Sequence, residues 1–137
     1  MVRIDVRYEG ELRCRAVHAP SGEQLLTDAP ADNQGLGRSF SPTDLVATAM
    51  GTCMATLMGI AAQGRGIDLT GLAVSVEKEM TAVPTRRIRR LTTVITVPRD
   101  PGPEHRQRLE HAARACPVHA SLHPDVERPI TFRWGPG

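Results

Sequence analysis

Residues 45–64, LVATAMGTCMATLMGIAAQG, carry no charged side chain, in a chain whose residues are 23% charged. An uncharged run of that length must be buried, and the residues just before it read as the start of a helix. Ser41 or Thr43 offers an oxygen to the free amides of a first turn, Pro42 needs no amide partner there, and Asp44 suits the positive end of the helix dipole. At helical spacing Leu45, Ala49, Cys53, Leu57 and Ile60 share one face, and Met50, Met54 and Met58 run down the neighbouring face. A helix apolar nearly all round is either the centre of a core or a membrane span, and roughly 20 apolar residues are enough to cross. Three threonines, three glycines and a glutamine dilute this run, and no aromatic belt flanks it. The reading is a central core helix in a soluble protein, with no membrane partner.

The rest of the chain supplies what such a helix needs for cover. With 137 residues it suits one domain, 1–137, built on a single core. Residues 3–9 and 11–18 alternate apolar and polar side chains around Glu9-Gly10, which predicts an opening hairpin, and residues 23–28 predict a third strand. Residues 28–41 hold Pro30, Asn33, Gly35 and Gly37 without periodicity and read as a loop, with Arg38 and Phe40 its most informative side chains. After a Gly64-Arg65-Gly66 helix stop, Leu72, Val74 and Val76 alternate with polar partners, and Leu91, Thr93, Ile95 and Val97 repeat the pattern. These predict a second hairpin around Val83-Pro84-Thr85. Residues 104–115 have amphipathic helical spacing with Leu109, Ala112, Ala113 and Ala115 inward, residues 117–122 a short helical turn, and residues 126–134 a last strand. The order strands, long helix, strands, helix, strand predicts an α+β fold with largely antiparallel sheets around the long helix.

Composition narrows the possible partners. The formal net charge is +2, and the basic residues are scattered except at Arg86-Arg87-Ile88-Arg89-Arg90. Aromatic residues are only 3% of the chain, so the stacking platforms of a single-strand binder are missing, and the arginine run reads as a solvated strand face. Nucleic acid is not an expected partner. The first ten residues, MVRIDVRYEG, place charges where a signal peptide has its apolar core, which points to the cytoplasm.

Three cysteines, Cys14, Cys53 and Cys116, are an odd number and do not form a structural disulfide framework in that compartment. A reactive pair with a bystander is the alternative. Cys53 lies mid-helix, where a lone cysteine is most often a small buried hydrophobe. Cys116 directly precedes Pro117, which fits the first position of a new helix, so its sulfur falls at the cap beside free amides, an environment that lowers a thiol pKa. Cys116 and His119 are also two zinc ligands by type, but too few others accompany them for a four-ligand site. Neither a metal nor an organic cofactor is expected.

The opening SPTDLVATAMGTC together with CPVHASL after an amphipathic helix resembles the OsmC/Ohr family, the osmotically inducible and organic hydroperoxide resistance proteins, in its OsmC-like branch. The likeness covers most of the chain, including the glycine-containing loop before the SP turn and the final strand. It implies an intertwined homodimer in which a peroxidatic cysteine, here Cys53, reduces hydroperoxides, and a resolving cysteine, here Cys116, closes a disulfide later reduced by a dithiol. It also implies an activating arginine, matched by position to Arg38 or Arg15. Hydroperoxide-reducing members carry a glutamate directly after the proline that opens the long helix, where it orients that arginine; here Thr43 stands there, and the acid follows at Asp44. Phe40, Met50, Met54 and Leu57 offer an apolar lining suited to an organic peroxide. The expected function is a thiol-dependent peroxidase acting on organic hydroperoxides, and the competing reading is a non-enzymatic ligand-binding or redox-sensing dimer of the same fold.

Overall fold

The computed structural model describes all residues, 1–137, as two compact units, Met1–Val46 and Ala47–Gly137. The division falls inside the long helix.

In the first unit β1 (Ile4–Gly10), β2 (Arg13–His18) and β3 (Gln24–Asp28) form an antiparallel sheet in the order β1-β2-β3. The turn from β1 to β2 is made by Glu11 and Leu12, both at positive φ, as a two-residue hairpin loop with the twist of its strands requires. The registers Ile4↔His18, Val6↔Ala16 and Tyr8↔Cys14 place Ile4, Val6 and Tyr8 on one face, where all three are exposed. Beyond β3 the loop is wound rather than open. A 3-10 turn over Ala31–Asn33 is closed by Gly35 N donating to the Pro30 carbonyl and Gly37 N to that of Ala29. A Cβ on Gly35 would fall 1.7 Å from the Ala29 carbonyl oxygen, so only glycine fits that approach.

The loop delivers the chain to α1 (Pro42–Ala62) through a reciprocal cap. Asp44 N donates to Ser41 Oγ at 3.1 Å and Ser41 N to Asp44 Oδ2 at 2.8 Å, so two otherwise unpaired amides are satisfied. The cap is the one Ser41 and Pro42 predict, with Asp44 adding a side-chain bond to its dipole role.

In the second unit β4 (Ala73–Thr81) pairs antiparallel with β5 (Arg87–Val97), and β6 (Ile130–Trp134) lies on the other side of β5. The β5–β6 pairing is parallel, where the sequence predicts a largely antiparallel sheet. The reason is the connection: α2 (Pro103–Arg114) and α3 (Pro117–Ser121) form a crossover that returns the chain to the end of the sheet where β5 began. Two strand ends also differ from the sequence reading. β5 starts at Arg87 because polar cross-strand neighbours sustain it: Arg90 reaches Glu79 at 3.2 Å and Glu127 at 2.6 Å. β6 starts only at Ile130 because Pro129 has no amide to give; before it the chain meets β5 through the Arg90↔Glu127 bridge and through Thr93 N donating to the Pro129 carbonyl at 2.9 Å.

The core of this unit is the inner face of β5, with Leu91, Thr93, Ile95 and Val97 wholly buried at the alternation the sequence predicts. Against it lie Met50, Met54 and Met58 of α1, Leu109 and Ala113 of α2, and Cys116, also buried. Gly51 lets α1 approach β4, since a Cβ there would stand 3.1 Å from Val76 Cγ2. α1 has the length and apolar composition of a membrane span, and its buried residues belong to this core. The methionine face is the buried one; Ile60, expected to be buried with the rest of the uncharged run, is 58% exposed. α2 is anchored at both ends. Asp100 accepts from Gly102 N and Arg106 Nε, and the Arg106 guanidinium followed by that amide holds its carboxyl down at about 2. Arg106 stacks over Trp134 at 5.7 Å and Arg114 over Phe132 at 5.5 Å, which fixes the helix on β6.

Candidate active site

Cys53 projects from the middle of α1 and is half-buried, while Cys116 sits at the cap of α3 and is fully buried. The fold brings these two residues near each other: Cys53 lies close enough to act on the ionisation of the Cys116 thiol. Cys116 owes its place to two local features. Ala115 ends α2 with its amide on the carbonyls of His111 and Ala112, and Pro117 opens α3 at once, so the residue between them turns inward.

The sequence predicts a thiol at a helix cap with a lowered pKa, and half of that is found. Cys116 Sγ does accept from His119 N, at 3.3 Å, and the amides of His119 and Val118 do favour its thiolate. Burial outweighs them. Removal from water, followed by the neighbouring Cys53 side chain, pushes the Cys116 thiol above its ordinary value of 9.0. Cys116 therefore stays a thiol near neutral pH. His119 is likewise kept neutral, by burial first and then by the charges of Arg128 and Arg114. It is the backbone amide of His119, rather than its ring, that bonds the thiol. No group of three His, Cys, Asp or Glu side chains is gathered to hold a metal.

Of the apolar lining read from the sequence, Met50 and Met54 expose nothing and belong to the core, Leu57 is half-buried beside Cys53 on the helix, and Phe40, in the first unit, is 52% exposed. The two candidate arginines lie in the first unit and differ in how they are held. Arg15, on β2, donates through Nε to Glu9 at 2.9 Å and through Nη1 to Gln24 at 2.8 Å. Arg38 donates its backbone amide and its Nε to one oxygen of Asp28, at 3.1 and 2.8 Å, leaving both Nη nitrogens for another partner. Asp28 is wholly buried, and the Arg38 guanidinium is the main cause holding its carboxyl below the ordinary value. Asp28 was not singled out in the sequence; its signal was a charge closing an otherwise regular strand, directly before Ala29-Pro30. Cys14, on β2 opposite Tyr8 and Thr27, is free and half-buried in the first unit.

The family model described as OsmC-like protein matches residues 34–128, a span that contains both the Cys53 helix and the Cys116 cap. The chain belongs to the OsmC-like family. Solved structures agree with this OsmC-like assignment. A candidate osmotic stress induced and detoxification response protein from Psychrobacter arcticus is 39% identical, with 96% of each chain covered and a TM-score of 0.90. Two OsmC/Ohr structures share the fold at lower identity. They are an organic hydroperoxide resistance protein OsmC from Legionella pneumophila (14% identical, 97% and 96% covered, TM-score 0.78) and one from Elizabethkingia anophelis (12%, 98% and 96%, 0.77). No match was found among the curated proteins.

Proposed function

We propose that the protein is a thiol-dependent peroxidase of organic hydroperoxides, with Cys53 as the attacking thiol and Cys116 as the resolving one. The observation that carries this reading is the nearness of the two cysteines, with Cys53 close enough to act on the ionisation of the buried Cys116 thiol. The half-buried Cys53 is the member open to a substrate, and it reacts as the thiolate. That thiolate attacks the peroxide, forming Cys53–S–OH and releasing the alcohol, whose proton comes from solvent. The Cys116 sulfur then displaces the hydroxyl as water, its own proton leaving with it, and the Cys53–Cys116 disulfide forms. An external dithiol returns both cysteines to thiols and is itself oxidised to a disulfide. No metal or organic cofactor enters these steps.

Arg38 is the arginine assigned to the peroxide and the thiolate, because Asp28 fixes its orientation through Nε while its Nη donors remain open; Arg15 has committed two of its nitrogens. Leu57, one turn along α1 from Cys53, supplies apolar surface favouring an alkyl or aryl peroxide over hydrogen peroxide. The cytoplasm is the compartment assigned, since the cycle needs a dithiol pool to reopen the disulfide.

With dithiothreitol as reductant, the protein should consume cumene hydroperoxide faster than hydrogen peroxide, and Arg38→Ala should slow both more than Arg15→Ala does. Consumption no faster than that by an unfolded peptide thiol would instead favour the ligand-binding or redox-sensing reading. We further assign the protein as a homodimer: Ile4, Val6 and Tyr8 lie exposed side by side on one face of β1, an apolar stripe of the kind that marks an interface. Light scattering at micromolar concentration should give twice the protomer mass, and a monomer would exclude this assembly.

A further inference from the structure

Cys116 is carried by a helix too short to hold itself. α3 has five residues, far below the roughly 12–15 at which an isolated helix becomes even marginally stable in water, so its position depends on what its ends are tied to. One end is the cap at the Cys116 sulfur itself. The other is a single side chain from beyond the helix. Arg128, half-buried, donates through Nη1 to the His119 carbonyl in α3, through Nη2 to the His123 carbonyl at 3.4 Å, and through Nε to the Val126 carbonyl at 3.0 Å. One planar fork thus gathers three carbonyls that have no strand to join. The residue before it is pinned in turn: Glu127 N donates to the Arg89 carbonyl at 2.9 Å, Leu91 N to the Glu127 carbonyl at 2.8 Å, and Arg90 Nε to the Glu127 carboxylate at 2.6 Å. A continuous set of bonds therefore runs from β5 through Arg128 to the helix that presents Cys116.

We propose that Arg128 is a positioning residue for disulfide closure, tying α3 to β5 so that the Cys116 thiol stays beside Cys53. This rests on the peroxidase reading only for the source of the sulfenic acid; the closure itself is a property of the thiol pair. Closure brings the two sulfurs to a bond of about 2.05 Å, and misplacing a reacting group by about 1 Å can cost on the order of a hundredfold in rate. Lysine is no substitute, because a single ammonium does not reproduce the planar fork that reaches three carbonyls at once.

The test uses the full chain with Arg128→Met and, keeping the charge, Arg128→Lys. After stoichiometric cumene hydroperoxide, trapping with dimedone should show Cys53 sulfenic acid forming at the wild-type rate in both variants. Disulfide formation should be slower by about tenfold, so the sulfenic acid accumulates. Without any peroxide, equilibration in glutathione buffers should show the Cys53–Cys116 disulfide about tenfold less favoured, a shift of about 30 mV for a two-electron couple. Both steps slowed alike, or neither step slowed in variants with wild-type circular dichroism, would overturn the role. A wild-type protein that forms no sulfenic acid refutes the peroxidase reading instead, and the glutathione equilibrium still decides on Arg128.

Discussion

Cys53→Ser should abolish hydroperoxide consumption, whereas Cys116→Ser should retain the first chemical step and lose the second. The asymmetry follows from where the two sulfurs sit. Cys53 is half-buried on α1, while Cys116 exposes nothing and is held as a thiol by burial first and then by the neighbouring Cys53 side chain. A serine at position 53 has no thiolate to offer, and the thiolate is the nucleophile, so turnover should fall to that of dithiothreitol alone. A serine at position 116 still permits attack by Cys53 but leaves no sulfur to displace the hydroxyl. The variant should therefore stop at one equivalent of sulfenic acid per chain, trapped by dimedone, until dithiol reduces it directly. Equal loss of the first step in both variants would mean that the two thiols do not have separate roles.

Met54→Ala should produce the largest loss of stability. Met54 exposes nothing and packs in the core formed with Leu91, Ile95, Leu109 and Ala113, where truncation of a large apolar side chain costs about 2–5 kcal/mol through lost transfer energy and the cavity left behind. For a domain of this size that corresponds to a fall in melting temperature of roughly 10 °C. Calorimetry on the reduced protein checks it, and a change below about 0.5 kcal/mol, the range of ordinary surface substitutions, would remove Met54 from the core. Because Cys53 is the next residue on the helix, the same substitution should also slow disulfide closure by loosening the helix that carries it.

The central helix was legible because its signals agree with one another. The charge-free run, the Ser41-Pro42 start and the methionine spacing all point to one element, α1 over Pro42–Ala62. Which of its faces lies inward was less legible: Ile60 and Met58 are equally apolar in sequence, and only the packing on β4 and β5 separates them. The strands were found by alternation, but alternation carries no direction, so the parallel pairing of β6 with β5 could be read only from the crossover. The cysteine pair came from the resemblance, not from the residues themselves, since Cys53 and Cys116 are remote in sequence and neither local pattern names the other. The electrostatics of Cys116 inverted the local reading for the same reason. A helix cap is visible in CPVH, but the burial that outweighs it is a property of the tertiary fold. Asp28 and Arg128 left no periodic trace, because each acts on a group set by the chain's path rather than on a sequence neighbour.

The claim on which the rest depends is that Cys53 and Cys116 form one redox unit that responds to organic peroxide. Reduced wild-type protein treated with one equivalent of cumene hydroperoxide, quenched within seconds by acid and digested, should yield a single disulfide-linked peptide pair joining Cys53 to Cys116, with Cys14 recovered as a thiol. Recovery of all three cysteines as thiols, or of a disulfide that includes Cys14, would contradict it.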